Sequence, residues 1–186
     1  MHAQDLLDFL HFILDWKTTR YYDPSKLVLI GHSCGAHMLS SIFLESKEPD
    51  LEPSSRLLNS VKVIILSEGI YDVDLLLESF PTYRQWFIES AFGALESYAQ
   101  VSVTKFTFRP LSPSNCRWIL LHSKGDRLVD VKQTAAMYDH LKSLDRGFVE
   151  INTDELEDGH NEVLKTDTYV DIVKKYIGSL HYTSKM

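Results

Sequence analysis

Hydrophobic positions along the chain fall into short apolar runs separated by longer amphipathic stretches. Leu6, Leu10, Ile13, Leu14 and Trp16 recur at near-helical spacing, which predicts an amphipathic helix over Asp5 to Lys17. Four runs read as strands: Lys26–Ile30, Val61–Leu66, Trp118–His122 and Phe148–Ile151. The first is apolar enough to be buried, whereas the last alternates and is expected to be more exposed. Helices are predicted over Ala36–Leu44, over Val131–Leu144 with Ala135, Tyr138 and Leu141 on one face, and over Thr168–Leu180 with Val170, Val173, Tyr176, Ile177 and Leu180. Tyr22 to Ser25 is a turn, and Glu48 to Ser55, with two prolines and several acids, is a surface loop. Strands alternating with helices predict an α/β fold with a mostly parallel sheet.

Between Val73 and Pro113 the pattern changes. Leu75, Leu76 and Leu77 belong to a short helix, and Tyr83 to Tyr98 to a second one carrying Trp86, Phe87 and Phe92. Phe106 and Phe108 follow, and Pro110-Leu111-Ser112-Pro113 ends the segment. An aromatic-rich helical insertion between two strands reads either as a cap over a pocket or as plain core packing. At 186 residues, one domain with a cap-like insertion at 73–113 is expected.

Composition narrows the partners. A net charge of -7 without a basic stripe argues against nucleic acid. Two cysteines, Cys34 and Cys116, do not make a disulfide framework, so a reduced, cytoplasmic protein is expected, with both thiols as small buried hydrophobes. Asp5 and Asp8 interrupt the first apolar run, which is not expected to act as a signal peptide. No apolar stretch is long enough to span a bilayer, and no membrane partner is expected. The histidines lack metal-ligand spacing and no phosphate-cradling glycine loop occurs, so no metal or cofactor is expected. A small molecule remains as the ligand.

The candidate chemistry lies in Gly31-His32-Ser33-Cys34-Gly35, which reads G-x-S-x-G between a predicted strand and a predicted helix. That context holds a nucleophilic serine at the tip of a strained turn. Both glycines are expected to let the helix start pass close to the strand end. The N–H of Cys34 is placed to donate to a developing oxyanion. A serine needs a base, and the base an orienting acid, in the chain order Ser, Asp or Glu, His. Asp126 in the loop after the third strand and His160 in the loop after the fourth fit that order. Among the rivals, Asp130 is expected to cap the following helix, and Glu68 and Asp72 leave the second strand, one earlier than usual for the acid. His122 and His140 are expected to be structural.

These residues carry a resemblance. The chain resembles the kynurenine formamidases (arylformamidases), an α/β-hydrolase family, most closely the fungal ones. The matching residues are Gly31–Gly35, the Gly69-Ile70-Tyr71-Asp72 turn, Phe80-Pro81-Thr82-Tyr83, Ala91-Phe92-Gly93, Leu121-His122-Ser123 with Asp126, Gln133-Thr134, and His160-Asn161. The resemblance implies Ser33 as nucleophile, Asp126 as orienting acid and His160 as base, acting on the formamide of N-formylkynurenine. Tyr71, Tyr83, Trp86 and Phe92 are candidates to hold the substrate ring. Alternatives are a general small-ester hydrolase and a catalytically impaired homologue that binds without turnover. The family carries a His-Gly-Gly-x-Trp motif on an earlier strand, and no His-Gly-Gly occurs in this sequence. The N-terminal strands and one side of the oxyanion hole are therefore expected to be missing. Lys26–Ile30 is then expected at a sheet edge, with self-association, a homodimer among its forms, as the consequence.

Overall fold

The computed structural model describes residues 2–16, 22–46, 51–113, 115–145 and 148–178. In chain order the elements are α1 (His2–Asp15), β1 (Leu27–His32), α2 (Cys34–Phe43), β2 (Leu44–Glu45), α3 (Ser55–Ser60), β3 (Val61–Ser67) and α4 (Val73–Ser79). One π-helical turn at Arg84–Ile88 leads into α5 (Glu89–Phe92), and a 3-10 turn at Val103–Lys105 precedes β4 (Thr107–Phe108). Then come β5 (Arg117–Leu121), α6 (Val131–Ser143), β6 (Phe148–Asn152), a 3-10 turn at Val163–Lys165 and α7 (Asp167–Gly178). Among the described residues no helix is long and apolar enough to cross a membrane.

The four expected strands form one parallel sheet in the order β1-β3-β5-β6. Its two central strands are apolar because both faces are covered, as parallel sheets require. Ile64 and Leu66 of β3, with Trp118 and Leu120 of β5, face a core shared with α1, α2, α3 and α6. Their alternates, Val63, Ile65, Ile119 and Leu121, face a second core closed by α7 through Tyr169, Ile172, Val173 and Tyr176. β2 and β4 pair antiparallel in a small separate sheet, so Leu44 leaves the expected helix to join β2. A third cluster, built on Val73, Leu76, Tyr83, Ile88 and Tyr98, belongs almost wholly to the segment after β3.

The ladder runs on past the strand ends. Ser33 N–H donates to the Ser67 carbonyl (2.9 Å), Glu68 N–H to Leu121 (3.1 Å) and His122 N–H to Asn152 (3.0 Å). The residues leaving β1, β3 and β5 at their C-terminal ends are thereby fixed in register.

Several local expectations are corrected. The buried stripe of α1 is Leu7, Leu10 and Leu14, while Trp16 lies exposed past the helix end against Phe12. Part of the expected loop before β3 is helix α3: Ser54 caps it, accepting from Leu57 N–H at 3.2 Å, and Leu57 and Leu58 are buried. The helix expected to reach Tyr98 stops at Gly93, whose φ of 83° lies in the left-handed region. Tyr98 is instead held by its N–H, which donates to the Asp74 carboxylate at 2.9 Å. Lys17, residues 48–50 of the expected loop and the last two residues of the expected C-terminal helix lie outside the described residues.

The two glycines of G-x-S-x-G are not equivalent. A Cβ on Gly31 would sit 2.7 Å from the Gly35 carbonyl oxygen and 2.9 Å from Ala36 Cα, so β1 meets α2 backbone to backbone there. A Cβ on Gly35 would meet nothing within 4 Å. The expectation that both glycines serve close packing is corrected for the second. Gly31→Ala is expected to destabilise the fold by about 1–3 kcal/mol, whereas Gly35→Ala, in a helix with open space around it, should be neutral or stabilise by up to about 1 kcal/mol. Urea unfolding of both variants checks this, and equal losses would contradict it.

Among the described residues, β1 carries its ladder on one side only, and Ile30 on it is 49% exposed. Such an edge offers unpaired N–H and C=O groups to another chain. The 186-residue chain on its own is expected to self-associate, read by sedimentation velocity over a concentration series, with Ile30→Lys shifting it toward monomer. Sedimentation as a monomer throughout the series would refute this.

Candidate active site

Ser33 sits between the end of β1 and the first residue of α2 with φ 55° and ψ -120°. A non-glycine residue in this region costs about 1–3 kcal/mol and persists only where its surroundings over-determine it. Here the determinants are the Ser67 carbonyl, which takes its N–H, and α2, whose Ala36 N–H donates to the Ser33 carbonyl at 3.1 Å. Cys34 opens α2 and is exposed, which corrects the expectation of two buried thiols; Cys116 is buried.

Asp126 and His160 are in direct contact: Nδ1 of His160 lies 2.7 Å from Oδ2 of Asp126. The loops that carry them are locked together. A Cβ on Gly125 would lie 2.1 Å from the Glu157 carbonyl oxygen, so only glycine lets the two backbones pass. Lys124 N–H donates to the Leu156 carbonyl (2.9 Å), and the Ser123 hydroxyl to the Asp158 carbonyl (2.6 Å). Asp126 also accepts the N–H groups of Leu128 (2.8 Å) and Val129 (3.0 Å). Burial disfavours its charge, but the hydrogen bonds from His160, Val129, Glu68 and Leu128 outweigh that and bring its pKa down to about 2.

Two further residues enter the site. The ring of His32, the residue before Ser33, has its centroid 4.7 Å from that of His160, so the elbow and His160 are neighbours. Burial, and then the proximity of His160, push His32 down to about 4 against the pull of Asp126, leaving it neutral near pH 7. Glu68, at the end of β3, has φ 51° and is fully buried. Its carboxyl accepts the Ser123 N–H (2.9 and 3.2 Å), with Nδ1 of His122 3.6 Å away. Burial, and contact with the Asp126 carboxylate, push Glu68 up to about 9 against the Ser123 N–H. The only sequence signal for His32 is its place inside the motif. Glu68 reads only as a rival for the orienting acid one strand too early, since an acid leaving a strand usually reads as a solvated turn residue.

The rivals lie where packing uses them. Asp130 caps α6, accepting from Lys132 N–H (3.1 Å). Asp72 caps α4 and takes bonds from Thr104 (2.8 Å) and Lys105 (3.1 Å). His122 is buried with Nδ1 2.9 Å from the Thr134 hydroxyl. His140 Nε2 donates to the Phe106 carbonyl at 2.6 Å.

The expected ring-holding aromatics are not equivalent. Tyr71 is 0% exposed inside the main core, its ring lying where a Cβ on Gly69 would come within 2.2 Å. It presents no surface to a ligand, which corrects its assignment to the pocket. Tyr83 is buried, stacks on Phe80 at 5.0 Å and donates its hydroxyl to the Leu128 carbonyl at 3.1 Å. Phe92 lies 5.7 Å from the ring of His37 on α2, and Trp86 is 72% exposed.

Glu68, Asp126 and His160 each offer a ligand atom within 4.8 Å of the others. The fit to a metal is poor. Two donors at about 2 Å from a tetrahedral ion stand about 3.3 Å apart, whereas His160 Nδ1 and Asp126 Oδ2 are at hydrogen-bond distance.

Fungal kynurenine formamidases are similar to this chain. Kynurenine formamidase of Meyerozyma guilliermondii is 28% identical over 145 residues, covering 76% of this chain and 53% of that protein. That of Saccharomyces cerevisiae is 30% identical over 162 residues, covering 82% and 59%. The chain thus spans a little over half the length of these curated relatives. Among solved structures, an esterase of Thermogutta terrifontis with butyrate bound superposes with a TM-score of 0.62 at 15% identity, covering 96% of this chain and 65% of that one. Acylaminoacyl peptidase of Pyrococcus horikoshii gives 0.66 at 18% identity, covering 96% and 27%. The fold is that of the α/β-hydrolases. The sequence model of the prolyl oligopeptidase family matches residues 1–176. Because that match runs to Tyr176, across every strand of the sheet, the chain belongs to the prolyl oligopeptidase family.

Proposed function

We propose that the chain carries the nucleophile, base and orienting acid of a serine hydrolase that cleaves the formamide of N-formyl-L-kynurenine to L-kynurenine and formate. The observation that carries this reading is the 2.7 Å contact of His160 with Asp126 beside the strained elbow at Ser33. The similarity to fungal kynurenine formamidases supports the choice of substrate.

In this reading the Asp126 carboxylate accepts Nδ1–H of His160 and so leaves Nε2 free to take a proton. His160 removes the Ser33 proton as the oxygen attacks the formyl carbon. The Cys34 N–H, at the start of α2, donates to the oxyanion. His160 then protonates the departing aromatic amine, and water, activated by the same base, releases formate from the formyl-serine. His32 stays neutral and adds no positive charge beside His160. A second oxyanion donor would come from a segment like the His-Gly-Gly motif, which this sequence does not contain.

The segment 73–113 is read as a cap. It reaches the loop carrying Asp126 through Tyr83, bonded to Leu128, and the elbow helix through Phe92, against His37. Its exposed Trp86 and half-buried Phe92 are the ring-holding candidates that retain accessible surface.

Ser33→Ala, Asp126→Asn and His160→Ala are each expected to lower kcat about a thousandfold or more, with losses that do not add, because the three act as a unit. Asp130→Asn should keep most of the activity. Steady-state kinetics on folded variants decide: retained turnover in Ser33→Ala would sink the mechanism, and a loss in Asp130→Asn matching that of Asp126→Asn would mean the acid is misassigned.

The substrate is tested by comparing kcat/KM for N-formylkynurenine with that for a simple aryl acetate. The formamide is expected to be preferred. With Cys34 as sole donor, turnover by the 186-residue chain should lie on the order of a hundredfold below that of a two-donor site. Cleavage of the ester alone would overturn the formamidase reading and leave a small-ester hydrolase.

A further inference from the structure

Close to Asp126 and His160 lies a buried acid, Glu68, that the mechanism above does not use. We propose that Glu68 is held as a neutral carboxylic acid that donates a hydrogen bond to the Asp126 carboxylate, and thereby positions the group that orients His160. Its catalytic part rests on the serine-hydrolase reading; its protonation does not.

The argument begins with placement. Glu68 is fully buried at the end of β3, on backbone strained at φ 51°. Oxygen atoms of its carboxyl and of the Asp126 carboxyl lie within 4.8 Å of each other and of a ring nitrogen of His160. Two carboxyl groups this close in a buried site disfavour each other's charge, and both are not ionised without a cation between them. Among the described residues, neither acid has an ion pair to Lys or Arg; the pairing groups within 4 Å are His122 for Glu68, and His122 and His160 for Asp126. One proton must therefore sit between the two acids.

Counting donors decides which acid keeps it. Asp126 already accepts the N–H groups of Leu128 and Val129 and the ring of His160, three bonds that favour its anion. Glu68 accepts a single backbone N–H, from Ser123. The proton belongs on Glu68, which then supplies Asp126 with a fourth donor. The opposed displacements, Glu68 up to about 9 and Asp126 down to about 2, follow from the same contacts. The other titratable groups facing Glu68 are His122 on the β5 exit, His160 on the β6 exit, and the phenols of Tyr71 and Tyr169. Burial lowers His122 and raises both phenols, so His122 and the phenols are neutral near pH 7 and none of the three supplies a charge to offset a Glu68 anion.

The linkage has a definite sign. With a folded pKa of about 9 against an ordinary 4.5, Glu68 contributes stability that is fully present below pH 4.5 and is lost as the pH climbs toward 9. His32, His37 and His122 are displaced downward and titrate below neutrality, so the interval from pH 7 to 9 isolates Glu68 from them.

The test compares wild type with Glu68→Gln and Glu68→Ala as full chains. Gln keeps a donor for Asp126 and an acceptor for the Ser123 N–H but cannot ionise. The wild-type melting temperature is expected to fall by several degrees from pH 7 to 9, and that of Glu68→Gln to stay nearly level. The wild-type-minus-variant infrared spectrum at pH 7 should contain a protonated-carboxyl C=O band. In kinetics, Glu68→Ala should lose about tenfold to a hundredfold in kcat with little change in KM, and Glu68→Gln should rescue most of it. Parallel melting curves for wild type and Glu68→Gln, or an ionised-carboxylate band at pH 7, would overturn the protonation. Equal kcat losses in Gln and Ala would overturn the positioning role. If Ser33→Ala keeps its activity, the mechanism fails separately, and the melting and infrared results still decide the proton. If Glu68→Ala does not fold, Glu68→Gln carries the test.

Discussion

The site depends on the parallel ladder continuing beyond the strands it holds together. Parallel strands align all their C-terminal ends on one side of the sheet, which is where α/β proteins gather their chemistry. Here the hydrogen bonds from Ser33 to Ser67, Glu68 to Leu121 and His122 to Asn152 carry the register one residue further on β1, β3 and β5. The elbow, the buried acid and the loops bearing Asp126 and His160 are thereby tied to the same rigid scaffold. The close backbone contact at Gly125 completes this, because it fixes the last two loops against each other without side chains between them.

That rigidity makes the electrostatics possible. A carboxylate as buried as Asp126 would ordinarily lose its charge, and it is kept ionised by donors aimed at it from its own loop, from His160 and from Glu68. The strain at Ser33 and Glu68, both at positive φ, is local and small beside the burial of β3 and β5, whose central residues are inaccessible to solvent on both faces. Strain of this kind is tolerated where a packed sheet over-determines the backbone.

The comparisons set the scope. The chain spans a little over half of each fungal kynurenine formamidase it resembles. The solved esterase and acylaminoacyl peptidase structures share the fold at under 20% identity, so they speak to architecture alone.

By itself the sequence determined the four sheet strands, the major helices and the order Ser33, Asp126, His160, because these rest on local signals: hydrophobic period, turn residues and a five-residue motif. It also placed Asp130 as a helix cap, which depends on a neighbour two residues away. Tertiary structure decided what depends on distant partners. Glu68 is an acid after a strand until Ser123, 55 residues on, gives it an N–H and Asp126 takes away its charge. Tyr71 reads as a pocket aromatic until the core closes over it, and Gly35 reads as a packing glycine until α2 is seen to leave open space there. Burial and protonation are set by groups brought together across the sheet, and no window of sequence contains them.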